Sequence, residues 1–176
     1  MRLGIVLLLG LGLAACSRGG APEVQPDLAD TITVTSQAFA EGASIPQRFT
    51  CAGAGVAPPL AWSGVRDAAE LALVVDDPDA PGGSYVHWVV FHLEPSLDGL
   101  AEGRLPGGAR QARNSDGKAA YSGPCPPSGP AHHYRFSLYA LGQRLDEPDG
   151  AELDEALRAI DRAATSRGRL TATFAR

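Results

Sequence analysis

At 176 residues, 44% of them hydrophobic, the chain can bury the core of one domain and carry a tail, which sets aside intrinsic disorder. Its 15 lysines and arginines are outnumbered by 20 aspartates and glutamates, for a formal net charge of −5, so the basic surface that suits a nucleic acid backbone is not expected. With 21 Gly, 14 Pro and 6% aromatic residues, the balance favours a loop-rich β protein over a helical bundle.

The chain opens with Met1 and Arg2, a short positive region, followed by an apolar stretch from Leu3 to Leu13 that is shorter than the roughly 20 residues of a membrane span. It reads as the core of a signal peptide over residues 1–15. The segment Leu13-Ala14-Ala15-Cys16 resembles the lipobox of bacterial lipoproteins, in which the Cys thiol takes a diacylglyceryl group and becomes the first mature residue. Fatty acyl chains such as palmitate on Cys16 would hold the protein at the cell envelope, since each buried methylene contributes about 0.8 kcal/mol. Ser17, standing where Asp would signal inner-membrane retention, favours the outer membrane facing the periplasm if the host is Gram-negative. Residues 16–30 are rich in Gly, Ala and Pro without periodicity and are expected to be a flexible tether behind the lipidated Cys.

A single domain is expected over residues 31–176. Ile32, Val34 and Ser36 alternate with Thr31, Thr33 and Thr35, the period of a half-buried strand. Leu71 to Val75 and Tyr85 to Leu93 are apolar runs stopped by Asp-Asp-Pro-Asp and Glu94-Pro95, as in strands buried on both faces. Tyr134, Phe136, Leu138 and Ala140 share one face of a further strand, and Leu170, Ala172 and Phe174 one face of a last strand. Between these two strands, Leu153, Ala156, Leu157, Ile160 and Ala164 recur at helical spacing, with Asp149 and Glu152 placed to form a capping box.

Polar groups gather beside turn residues in three places. These are Asp76-Asp77-Pro78-Asp79-Ala80-Pro81 with His87-Trp88 after it, Asn114-Ser115-Asp116-Gly117, and Tyr121 to Gly129 leading into His132-His133-Tyr134. Each has a plain structural reading: Asp-Pro-Asp ends a strand, the Pro-rich loop is a rigid connector, and His87, in alternation with Val89 and Phe91, is a core histidine. Together they suggest an anion pocket. Two imidazoles can donate to phosphate oxygens, a carboxylate beside them sets the tautomer and favours the charged form, and the Tyr134 phenol adds a donor. Pro126 and Pro127 lack N–H groups but hold the N–H groups of Cys125 and Ser128 rigidly.

The segments Asp77-Pro78-Asp79-Ala80-Pro81, His87-Trp88, Gly123 to Gly129 and His132-His133-Tyr134, in this order and spacing, resemble the paired motifs of the phosphatidylethanolamine-binding protein family, in its branch often labelled Raf-kinase-inhibitor-like. The resemblance implies a mainly β fold, with a large central antiparallel sheet packed on a smaller sheet and a few peripheral helices. It also implies a pocket for phosphate-like anions or phosphorylated headgroups, built from Asp77, His87, Pro126, Pro127, His132 and Tyr134, with Cys125 at its wall and Asp79 as a structural neighbour. Ala52 stands where relatives often carry Asp, and the chain stops soon after Phe174, so a more open mouth is expected. No cofactor is implied.

Three other readings compete with a binding protein. A hydrolase would use His87 or His132 as general base, but no Gly-x-Ser-x-Gly elbow is present and Ser84 has no recognisable motif around it. A metal site from Cys51, Cys125, His132 and His133 lacks paired ligand spacing, so no metal is expected. An inhibitor or scaffold acting on an envelope protein such as a protease is the remaining class, since a lipoprotein outside the cytoplasm does not meet a cytosolic kinase. Cys51 and Cys125 are the two thiols left once Cys16 is acylated. An oxidising compartment favours joining them, whereas cytosolic members of the same family carry cysteines in the same motifs, which leaves separate packing beside the pocket as the alternative.

Overall fold

The computed structural model describes residues 28–176; the expected signal peptide, Cys16 and most of the tether lie outside the described residues. The strands are β1 (Thr33–Thr35), β2 (Leu60–Ser63), β3 (Glu70–Asp77), β4 (Tyr85–Leu93), β5 (Gly99–Leu100), β6 (Arg110–Gln111), β7 (His132–Leu141) and β8 (Ala164–Phe174). One α-helix, α1 (Leu153–Ala163), precedes β8, and a short 3-10 turn covers Gln47–Phe49. They form a five-stranded antiparallel sheet in the order β6-β4-β3-β7-β8 and a three-stranded antiparallel sheet, β1-β2-β5. Where several peripheral helices were expected, the described residues hold one α-helix.

The large sheet is covered on both faces, which explains the unbroken apolar run of β3. Leu71, Leu73 and Val75 pack toward the small sheet with Val34, Leu60, Trp62, Phe136, Leu138 and Leu170. Ala72 and Val74 point the other way and meet Leu157 and Ile160 of α1. Truncating one of these large buried side chains to alanine is worth about 2–5 kcal/mol. The alternations read for β1, β7 and β8 hold, with Val34, Tyr134, Phe136, Leu138, Ala140, Leu170 and Ala172 all buried in the layer between the sheets.

The expected capping box does not form. Glu152 is the N-cap residue and its side chain makes no capping bond, while Asp149 accepts from the backbone N–H of Gln111 at 2.8 Å and Glu152 pairs with Arg113 at 3.1 Å. The turn before the helix is thus spent on holding β6 rather than on the helix's first amides. Ala164, read as the last residue of the helical stripe, already has extended backbone and starts β8 with no intervening loop.

Two features shape the site end of the large sheet. Val75 lies opposite Trp88 but Asp76 lies opposite Val86, so His87 is an extra residue on β4. Such a bulge re-aims the side chain it carries. The second is a clamp across the loops: Cys51 and Cys125 form a disulfide with their α-carbons 5.4 Å apart, closing a sequence separation of 74. Beside it, the Cys51 N–H donates to the Pro124 carbonyl at 3.0 Å and the Tyr121 hydroxyl donates to the Phe49 carbonyl at 3.0 Å. Gly123 runs so close to this loop that a Cβ there would fall 2.9 Å from the Phe49 carbonyl oxygen, which is why the wall tolerates no side chain at this point.

Candidate functional site

The end of β3, the bulge of β4 and the start of β7 converge on a cavity of about 340 Å³. That is the size of a small-ligand site. Asp77, His87, Cys125, Pro126, Pro127 and His132, all expected at the site, line it. Tyr134 does not: it is fully buried beneath the cavity, and its ring meets the edge of His87 with centroids 5.3 Å apart. Its hydroxyl makes no hydrogen bond that meets ordinary geometry, although it lies near Asp77. Burial, followed by the Asp77 charge, pushes this phenol above the usual tyrosine range.

His87 sits on the other face from the one its position in the alternation predicts. Val86, Val89 and Phe91 face α1, whereas His87 packs against Tyr134 of the inter-sheet layer, because the extra residue inverts the alternation between Val86 and Trp88. Its Nδ1 lies 2.8 Å from the Ser122 carbonyl oxygen. A carbonyl only accepts, so Nδ1 carries the proton and the neutral ring offers Nε2 as an acceptor. Burial lowers the His87 pKa, and the opposing pull of the Ser122 carbonyl and of Asp77, Asp76 and Asp116 does not offset it. This corrects the expectation that a nearby carboxylate would favour the charged form of this histidine.

His132 is held by a carboxylate instead. Its Nδ1 is 2.8 Å from Asp77 Oδ2, and both groups are nearly inaccessible. Asp77 also accepts from the backbone N–H of Asp79 at 2.9 Å, so the Asp-Pro-Asp turn both ends β3 and braces the carboxylate. Asp79 points outward to His133, accepting from its backbone N–H at 2.8 Å with the His133 Nδ1 at 2.7 Å. The backbone N–H is the main reason its carboxyl lies below the usual range. Asp79 is therefore a brace for the start of β7 and not part of the lining.

Tyr85, which opens β4, and Asp116 and Ser122, which lie in two of the polar segments, also line the pocket, although the sequence does not place them there. Buried Asn114 organises them: its amide donates to the Ala120 carbonyl and the Ser122 hydroxyl, each at 2.9 Å, while its oxygen accepts from the N–H groups of Asp116 and Lys118. The Asn-x-x-Gly turn was the available signal, since Asn bonds its own following backbone. Asp116 is held below the usual carboxylate range chiefly by the Tyr85 hydroxyl, and it accepts from Ser122 Oγ at 3.2 Å. Tyr85 is correspondingly raised, first by burial and then by Asp116.

The charge of the lining is unusual for an anion site. Among the described residues no lysine or arginine lines the cavity, whereas two carboxylates do. The Lys118 ammonium stands 3.7 Å from Asp116, and Arg176 reaches the rim, where its Nη1 donates to Cys125 Sγ at 3.5 Å. Arg135 is engaged behind the site, bidentate on Asp76, which also accepts from the Ser84 hydroxyl at 2.7 Å.

Comparison with known proteins gives a consistent picture. The family pattern described as phosphatidylethanolamine-binding protein matches residues 35–175. "Putative lipoprotein LppC" of Mycobacterium tuberculosis is 45% identical over 186 aligned residues, covering 97% of this chain and 92% of that protein. Among solved structures, the homologue CT736 from Chlamydia trachomatis superposes with a TM-score of 0.77 at 36% identity, covering 84% of this chain and 99% of that one. YbcL of E. coli gives a TM-score of 0.79 at 28% identity, covering 83% of this chain and 99% of that one.

Proposed function

The chain belongs to the phosphatidylethanolamine-binding protein family, and from that premise we propose that it is a lipid-anchored envelope protein whose pocket binds phosphate-like oxyanions or phosphorylated headgroups. One observation carries the reading: two imidazoles, each fixed through Nδ1 by Asp77 or by the Ser122 carbonyl, line one small cavity and leave their Nε2 atoms for a ligand. Fixed tautomers and a wall clamped by the disulfide reduce what must be ordered on binding. The family description and the lipoprotein name of the mycobacterial relative support the ligand class and the anchor respectively.

The test is native mass spectrometry of the protein purified from its host, looking for a co-purifying phosphorylated molecule, with calorimetric titration of the mature domain by inorganic phosphate. Absence of both signals overturns the reading. His132→Ala should weaken phosphate binding by about 1.5–3 kcal/mol, the range for a charge-assisted bond, with the fold intact.

A hydrolase is the second reading, favoured by the Asp77–His132 pair, which is the geometry of an oriented general base. Ser84, the serine weighed as nucleophile, gives its proton to Asp76 instead of to either imidazole. Turnover of p-nitrophenyl esters or phosphates that disappears in His132→Ala would establish this reading in place of simple binding. Capture of a protease or other envelope protein, lost when the lining is altered, would favour the inhibitor class.

A further inference from the structure

We propose, resting on the oxyanion reading above, that the pocket selects its ligand by a proton the ligand carries: it takes dihydrogen phosphate or the monoanion of a phosphate monoester and discriminates against a fully deprotonated oxyanion such as sulfate. The argument is a count of donors and acceptors. A deprotonated oxyanion presents only acceptors, so each lining group that contacts it must donate.

The lining offers mostly the opposite. His87 spends its Nδ1 proton on Ser122, so its Nε2 accepts. Asp116 and Asp77 are acceptors, and the Ser122 hydroxyl is already given to Asp116. The Tyr85 hydroxyl is likewise engaged by Asp116. Pro126 and Pro127 bring no N–H. Among the described residues, His132 is the lining side chain placed to gain a donor, at Nε2, because protonating it leaves its Nδ1 bond to Asp77 in place.

A protonated oxyanion fits this set. Its O–H donates to Nε2 of His87 while an unprotonated oxygen accepts from His132. Sulfate would instead set a lone pair against a lone pair at His87, and its second negative charge, which dihydrogen phosphate lacks, would meet two carboxylates in a lining to which no lysine or arginine among the described residues contributes. The groups facing His87 do not change this. Tyr85 and Tyr134 pack on its ring, and the charges of Asp77, Asp76 and Asp116 act on it against its burial, which prevails. An acceptor left buried without a donor costs enough to set the discrimination on the order of tenfold to a hundredfold.

The experiment titrates the mature domain calorimetrically with inorganic phosphate and with sodium sulfate at about pH 6, where phosphate still carries protons and sulfate none. Phosphate binding at least about tenfold tighter than sulfate is the expected result. Sulfate binding as tightly as phosphate, or more tightly, overturns the proposal while leaving the oxyanion reading intact. Failure of both ions to bind overturns both. Asp116→Asn supplies an amide donor where a carboxylate stood and should narrow the phosphate-to-sulfate ratio by raising sulfate affinity; an unchanged or wider ratio contradicts the acceptor-based account. A variant that does not fold leaves the wild-type ratio as the deciding measurement.

Discussion

Asp77 and His132, 55 residues apart in sequence, meet at 2.8 Å where the end of β3 lies beside the start of β7. The pair joins fold and site: the carboxylate that closes one strand orients the imidazole that opens another. Asp77→Ala leaves the His132 Nδ1 proton and the Asp79 N–H without their acceptor in a nearly dry place. The expected loss is about 1–3 kcal/mol of unfolding free energy, with Asp77→Asn recovering part of it. Urea midpoints at constant slope are the measurement, and a wild-type midpoint in Asp77→Ala would contradict it.

His87 gives a pH prediction with a definite sign. Its pKa is lowered in the folded state, so between that value and the unfolded value of about 6.5 the unfolded chain binds a proton that the folded chain does not. The stability it contributes is present above about pH 6.5 and is lost as pH falls through the folded pKa. His87→Gln should therefore flatten the acid limb of the stability curve relative to wild type. The direct readout is the NMR titration of the His87 ring protons, and a midpoint above about 6.5 would refute the neutral acceptor assigned to this side chain.

The disulfide predicts its own chemistry. Denatured mature protein should take no alkyl groups on Cys51 and Cys125 without reductant and two after reduction, by mass. Replacing both cysteines by serine should cost up to about 4.5 kcal/mol, the chain-entropy value for a loop of this length. That is a large share of the 5–15 kcal/mol by which domains are ordinarily stable. Because Cys125 lines the cavity, the double variant should also bind phosphate more weakly, through a looser wall.

Lipidation rests on the N-terminal sequence and on the relative's name. Cys16→Ala should move the protein from the detergent phase to the aqueous phase and abolish labelling by a fatty-acid probe. Unchanged partitioning would remove the anchor from the account.

Most of what could be read from the amino-acid sequence has a short period or a short motif. Alternation at Ile32 and Val34 and from Tyr134 to Ala140 set which side chains enter the inter-sheet layer, and the unbroken run in β3 announced burial on both faces. Of the site residues expected from the family resemblance, Asp77, His87, Cys125, Pro126, Pro127 and His132 line the cavity. These features are legible because each depends on neighbours within a few positions along the chain. Tertiary structure decided the rest. The face of His87 depends on β3 and β4 pairing one residue out of step, its tautomer on a carbonyl 35 residues away, and the burial of Tyr134 on the ring that covers it. Asp149, well placed for a helix cap, is claimed by β6 instead. Whether Cys51 and Cys125 join is a matter of an α-carbon distance set by the packing of two loops. Register, tautomer and cross-loop distance are properties of pairs remote in sequence, and no local pattern in one partner specifies where the other will stand.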